Sequence, residues 1–244
     1  MKKTAGLWPA TGTLCGLEIA DPGRRMGAGL ASGLPWSGRI DFGGDDESRA
    51  WLIRAPSGAG KSSLVAWMNG LRKDHAGKLS FFYREFPASP IRERTSDDLD
   101  PDGWALIRRR HMATVFQDFR LIPWLSIAGN LSLHPDNPGQ PDAIAAWCEK
   151  LELPLDTRIP AGQLSRGEQQ RLAIIRALLT PARLLLLDEA FSHLDGRLRR
   201  LAASFIAEQC RQNHTGILAF DLEDSRDFEW AGILAFPGHG RTVS

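Results

Sequence analysis

Residues 54–64 read RAPSGAGKSSL, and this stretch decides the fold. It follows the phosphate-cradling pattern G-x-x-x-x-G-K-[ST] except at the first position, where Ala55 replaces glycine. Trp51-Leu52-Ile53-Arg54 before it reads as a strand. Ser62 to about Leu71 after it reads as a helix, with Leu64, Trp67 and Met68 on one face. Strand, glycine loop and helix form the context in which backbone N–H groups and a helix N-terminus converge on phosphate oxygens. Gly58 and Gly60 permit close approach, Lys61 would reach the β- and γ-phosphates, and the Ser62 hydroxyl would sit on Mg2+. The plainer reading is a Gly/Ser turn with an exposed lysine. Ala55 matters only if its position needs a positive φ or has no room for a methyl group. A Cβ in left-handed space costs roughly 1–2 kcal/mol.

Residues 184–189, Leu-Leu-Leu-Leu-Asp-Glu, form a second signal. A buried strand of this kind delivers carboxylates to the C-terminal edge of a parallel sheet, where phosphates sit. Asp188 is the candidate Mg2+ holder and Glu189 the candidate general base. Along the chain, strands are expected within 40–54 (two, around the acidic turn 43–47) and at 79–83, 112–116, 183–187, 216–220 and 231–236. Helices are expected near 104–110, 142–151, 167–179 and 196–212, with a short one from Asp221. Residues 85–103 read as a polar loop, and 1–38 are rich in Gly and Pro and give no clear pattern. Alternating strands and helices predict an α/β fold: a phosphate-loop NTPase core with a mainly parallel sheet and a small N-terminal β region. Residues 1–116 and 180–244 would make the core, and 117–179 a helical subdomain, all within one domain spanning 1–244.

Composition excludes several classes. The formal net charge is +1, from 30 basic and 29 acidic residues, so nothing global steers the chain to nucleic acid. The three cysteines, Cys15, Cys148 and Cys210, make no C-x-x-C pair, which suits a reducing cytosol. The N-terminal apolar stretch is broken by Gly, Pro and Thr, so no signal peptide is expected, and no run is long enough to span a membrane.

Five segments in order, APSGAGKSS (55–63), VFQDFRLIP (115–123), LSRGEQQR (164–171), LLLLDEAFSHLD (184–195) and LAFDLEDS (218–225), resemble the ATP-binding subunit of ABC transporters. The resemblance runs from about residue 40 to residue 236. It implies that Ser57, Gly58, Ala59, Gly60, Lys61, Ser62 and Ser63 bind the triphosphate, and that Gln117 touches Mg2+ and the attacking water. It implies that Ser165 and Gly167, with Glu168 in the same signature, close over the γ-phosphate of an opposite subunit, and that Asp195 lies in a loop crossing that interface. Head-to-tail homodimers on the cytoplasmic face of the inner membrane, coupled to transmembrane permease subunits, are the implied assembly. The segment 108–119 is similar to the lipoprotein-release, macrolide-export and cell-division branch. Independently of family, Ser165 with Glu168 three residues on makes a capping box for the following helix.

The sequence departs from the family at Ala55, at Arg166 (a signature glycine), at Ala190 (a proline) and at Phe220, where a histidine that bonds the γ-phosphate is expected. A phenyl ring cannot donate a hydrogen bond. His214 is six residues earlier, roughly 20 Å along a strand, and His193 lies in the cross-dimer loop. Slowed hydrolysis is the expectation. No aromatic residue stands at the usual spacing for stacking on adenine: Trp36 is too near the loop, Trp8 is an alternative, and Trp51 reads as core. The leading function is an ATPase subunit powering a permease. A non-hydrolysing nucleotide switch is the second reading. A DNA-maintenance or translation ATPase is the third, disfavoured by the length of the chain and its lack of heptads.

Overall fold

A computed structural model of the chain describes residues 13–20, 38–42, 49–72, 77–84, 89–133, 141–154, 156–221 and 228–235. The strands are β1 (Thr13–Ala20), β2 (Gly38–Asp41), β3 (Ala50–Arg54), β4 (Lys78–Arg84), β5 (Arg92–Thr95), β6 (Met112–Val115), β7 (Leu184–Asp188), β8 (Gly216–Asp221) and β9 (Gly232–Ala235). The helices are α1 (Lys61–Met68), α2 (Pro101–Arg110), α3 (Ile127–Leu131), α4 (Pro141–Lys150), α5 (Arg166–Leu178) and α6 (Gly196–Gln212).

The strands form two sheets. One is parallel throughout, in the order β6-β7-β8-β3-β9; the other is antiparallel, β2-β1-β4-β5. Strand alternation explains the layers. Leu184, Leu186, Leu218, Phe220 and Ile53 face one way and pack with Leu64, Val65 and Met68 of α1 and with Leu17, Ile19, Leu79 and Phe81 of the antiparallel sheet. Leu185, Leu187, Ile217, Ala219 and Leu52 face the other way, onto Leu172 and Ile175 of α5 and Phe205 and Ile206 of α6. Both faces of the parallel sheet are thus covered, which is why β7 reads as an unbroken apolar run.

Three expectations change. The N-terminal region contains β1, whose alternation is hidden by a bulge: the register on β4 shifts between Leu14 and Gly16, so Leu14 and Leu17 are both buried across an odd spacing. Residues 92–95 are a strand, not loop. Helix α2 begins at Pro101 rather than near 104, because the Asp100 carboxylate caps it by accepting from Gly103 N at 2.7 Å and proline suits the first helical position. The two strands flanking 43–47 belong to different sheets, and the turn itself, the short helix expected after Asp221, Trp8 and Trp36 all lie outside the described residues. Trp51 is half-buried, and its Nε1–H donates to the Asp41 carbonyl at 2.9 Å, in keeping with a core role.

His111 ends α2 and joins it to β6 and β7: its N–H donates to Ile107 O, and its carbonyl accepts from Arg183 N and Leu184 N. Burial, then the charges of Arg183 and Arg110, push its imidazole down to about 4. The native protein therefore holds His111 neutral, whereas the unfolded chain binds a proton near pH 6.5. Its contribution is complete above that value and is lost as pH falls toward 4. We expect the melting temperature to drop between pH 7 and pH 4.5, with His111 contributing at most about 1.4 kcal/mol per pH unit. His111→Gln should show a measurably shallower drop in the same scan.

Candidate active site

The loop 55–60 is built for close approach. Gly58 and Gly60 have φ of 76° and 92°, a region that penalises any side chain, and Gly60 stands at the N-cap of α1 with no side chain closing that helix end. Ala55 is not among the described residues with positive φ. Its methyl is buried in the apolar cluster under the loop, and its N–H donates to Asp221 O at 3.1 Å. Neither condition that would make alanine costly holds.

Lys61 is buried, 4% exposed, and its ammonium has three oxygens around it: Ala55 O at 3.0 Å, Pro56 O at 3.2 Å and Glu189 Oε1 at 3.2 Å. The other Glu189 oxygen accepts from Gln117 Nε2 at 2.9 Å, and Gln117 Oε1 accepts from the Ser62 hydroxyl at 3.3 Å. Asp188 closes the group. It is 1% exposed at the end of β7, and its Oδ1 has no hydrogen-bond partner. Burial foremost, and the neighbouring Glu189 charge, push its carboxyl up to about 6, against the pull of the Ser62 hydroxyl, Lys61 and the Gln117 backbone. A buried, unpartnered carboxylate oxygen beside a hydroxyl and an amide oxygen is a hard-oxygen donor set of the kind Mg2+ prefers. The five residues Lys61, Ser62, Gln117, Asp188 and Glu189 thus meet, carried by α1, the end of β6 and the end of β7.

The other predicted residues lie elsewhere. Ser63 turns outward, accepting from Arg72 Nη1 at 2.9 Å, while Ser57 is exposed. The capping box holds: Ser165 Oγ accepts from Glu168 N at 3.3 Å, and Glu168 Oε2 accepts from both Ser165 N and Ser165 Oγ at 2.7 Å. Those bonds hold the Glu168 carboxyl below its usual range. A Cβ on Gly167 would meet His193 O at 3.1 Å. Asp195 caps α6, accepting from Arg197 N and Leu198 N at 2.9 and 2.8 Å, and those bonds lower its carboxyl as well. Arg166 is exposed, its guanidinium 4.7 Å from the centre of the Phe119 ring. Ala190 is buried.

Phe220 is fully buried in the cluster beneath the phosphate loop, level with Asp188 in the sheet register. His193 does not take its place: its Nδ1 lies 2.9 Å from Ser192 Oγ, and its ring stands edge-on to Phe119. Gln170, which the sequence reading passed over, is fully buried on α5 and bonds to Glu189 O, Ser192 Oγ and His193 N. Its helical spacing to Ala173, Ile174 and Ala177 is a weak signal for a polar side chain, which on sequence alone reads as surface.

The chain has relatives among known proteins. A family model described as ABC transporter matches residues 46–192. The macrolide export ATP-binding/permease protein MacB of Sodalis glossinidius is 33% identical over 178 residues, 71% of this chain and 26% of that protein. The Fe(3+) ions import ATP-binding protein FbpC of Streptomyces coelicolor is 30% identical over 200 residues, 80% of this chain and 53% of that protein. The molybdenum import ATP-binding protein ModC of Paramagnetospirillum magneticum is 35% identical over 192 residues, 77% of this chain and 50% of that protein. The chain spans about half or less of the length of these relatives. Among solved structures, the dimeric MJ0796 bacterial ABC transporter cassette superposes with a TM-score of 0.63 at 21% identity, covering 85% of this chain and 88% of that one. A bacterial Atm1-family ABC exporter with ATP bound gives 0.68 at 21% identity, covering 91% and 37%. With an ABC cassette fold and a family match over more than half its length, this chain belongs to the ABC transporter family.

Proposed function

We propose that the chain is an ATP-binding and ATP-hydrolysing subunit that dimerises head-to-tail on ATP and drives conformational change in separate transmembrane permease subunits. On this reading the described residues up to 116 and from 180 onward make its core, and those within 117–179 its helical subdomain. The convergence of Lys61, Ser62, Gln117, Asp188 and Glu189 within hydrogen-bonding reach carries the reading. No helix among the described residues is long and apolar enough to cross a membrane. The likeness to import ATP-binding proteins is what supports giving the membrane step to a partner and the chain to the cytoplasmic face. The MacB likeness supports the lipoprotein-release, macrolide-export and cell-division branch; iron and molybdenum import subunits match at similar identity.

Each residue then has a task. The backbone of Ser57, Gly58, Ala59, Gly60 and Ser63 cradles phosphate oxygens with the N-terminus of α1. Lys61 exchanges its Glu189 partner for phosphate oxygens, which frees the carboxylate to polarise the attacking water. Gln117 holds that carboxylate from its other oxygen. Ser62, Asp188 and Gln117 would hold Mg2+, which when bound would supply charge that neutralises the phosphates. Ser165, Gly167, Glu168 and Asp195 serve the site shared with a second copy.

Phosphate release from Mg-ATP tests this directly. We expect measurable turnover in the wild type and a loss of about 100-fold or more in Glu189→Gln, with ATP affinity kept. Equal rates in the two would remove Glu189 from the mechanism. Asp188→Asn should bind ATP without Mg2+ as the wild type does, and lose the gain in affinity that Mg2+ confers; titration of a fluorescent ATP analogue with and without the metal reads this.

The buried phenyl ring of Phe220 favours a second reading, a slow nucleotide switch that gates its membrane partner. Phe220→His separates the two. Faster turnover would identify a missing γ-phosphate donor as the brake, at the expense of a lower melting temperature from a polar ring in the core. An unchanged or lower rate in a folded variant would show that no such brake exists.

A further inference from the structure

Glu189 stands in an unusual backbone conformation. Its φ is 48°, the left-handed region, which a residue other than glycine keeps only when its surroundings hold it there. Both of its backbone polar groups are held. Its N–H donates to Phe220 O at 3.0 Å, and its carbonyl accepts from Gln170 Nε2 and, within the turn, from Ser192 N, each at 3.2 Å.

Gln170 is 0% exposed and every polar atom of its side chain is used. Nε2 donates also to Ser192 Oγ at 3.4 Å, and Oε1 accepts from His193 N at 2.9 Å. Only one amide orientation works, because a reversed amide would set oxygen against the Glu189 carbonyl and NH2 against the His193 N–H. The same residue sits on α5, two residues past the Glu168 of the capping box. One side chain therefore connects the signature helix, the backbone of the candidate base and the turn leading to Asp195.

We propose that Gln170 is a positioning residue for hydrolysis: together with the Ser192 N–H and the Phe220 carbonyl it holds the Glu189 backbone in its left-handed conformation, and it alone ties that backbone to helix α5 and so aims the carboxylate. This rests on the ATPase reading above. A misplacement of about 1 Å at a reacting group costs on the order of 100-fold in rate. The side chain touches neither the Lys61 ammonium nor the Ser62 hydroxyl, so its loss should spare nucleotide binding.

The test uses the full chain, with Gln170→Met, which removes all three bonds at similar length, and Gln170→Glu, which keeps an acceptor for His193 N but no donor for Glu189 O. Both should lower kcat by about 10- to 100-fold, with KM and the affinity for a non-hydrolysable ATP analogue within about twofold of wild type. Without nucleotide, hydrogen exchange across 189–193 should quicken by about tenfold in Gln170→Met, while β7 and α6 exchange as in wild type. Unchanged kcat in an active protein, or unchanged exchange across 189–193, would overturn the proposal. So would a parallel loss of affinity or faster exchange throughout α5 and β7, which would mark Gln170 as general scaffolding. A wild type with neither ATP binding nor turnover would instead overturn the ATPase reading, and the exchange experiment would still decide whether Gln170 holds Glu189.

Discussion

The structure turns on a buried ammonium. Lys61 is almost wholly out of water, and an unpaired charge there would cost several kcal/mol. Its partners come from two strands that are not neighbours: the carbonyls of Ala55 and Pro56 follow β3, and the carboxylate of Glu189 follows β7. Between them runs β8, in register with both, Ile53 and Asp188 each opposite Phe220. The sheet order β7-β8-β3 is thus what allows one lysine to reach the loop behind it and the carboxylate across from it. The left-handed glycines supply the sharp turn that starts α1 at Lys61 and folds the side chain back.

Charge balance at this point shapes the chemistry. One ammonium faces two adjacent carboxylates, and the deeper one, Asp188, has an oxygen that no protein donor reaches. A cluster with surplus negative charge and an unpartnered oxygen is completed by a cation, while the N-terminus of α1 beside it is completed by an anion. A magnesium-bound triphosphate supplies both at once, which is why the proposed function assigns the loop and the strand end to one ligand.

Most of this arrangement was legible in the sequence because its signals are local. The glycines, Lys61 and Ser62 are fixed by one turn, and Asp188 and Glu189 by one apolar strand. The Ser165–Glu168 box was readable from spacing alone. What escaped is non-local. Strand β1 was hidden because the bulge before Gly16 breaks the alternation that betrays a strand. Strand β5 is short and polar, Arg-Glu-Arg-Thr, so its pairing with β4 depends on a partner and not on its own residues. Gln170 escaped because a glutamine in a signature helix looks like surface until the carbonyl it satisfies is known. The consequence of Ala55 needed φ, which no sequence states.

Phe220 sharpens what the site must do without. The position follows Leu218 on the sheet face that covers α1, and that face is apolar at Leu184, Leu186 and Ile53, so a phenyl ring is the well-packed choice there. It seals the floor beneath the phosphate loop and donates nothing. His193, in the turn between β7 and α6, is engaged by Ser192 and Phe119. Under the proposed function, the burden of stabilising charge on a transferred phosphoryl group would fall on Mg2+, on Lys61, on the backbone N–H groups of the loop and, in the proposed dimer, on the Ser165 end of a second copy. In the proposed dimer such a site would depend more heavily on closure than one with its own donor at residue 220, because a larger share of its stabilising groups would arrive only with the partner.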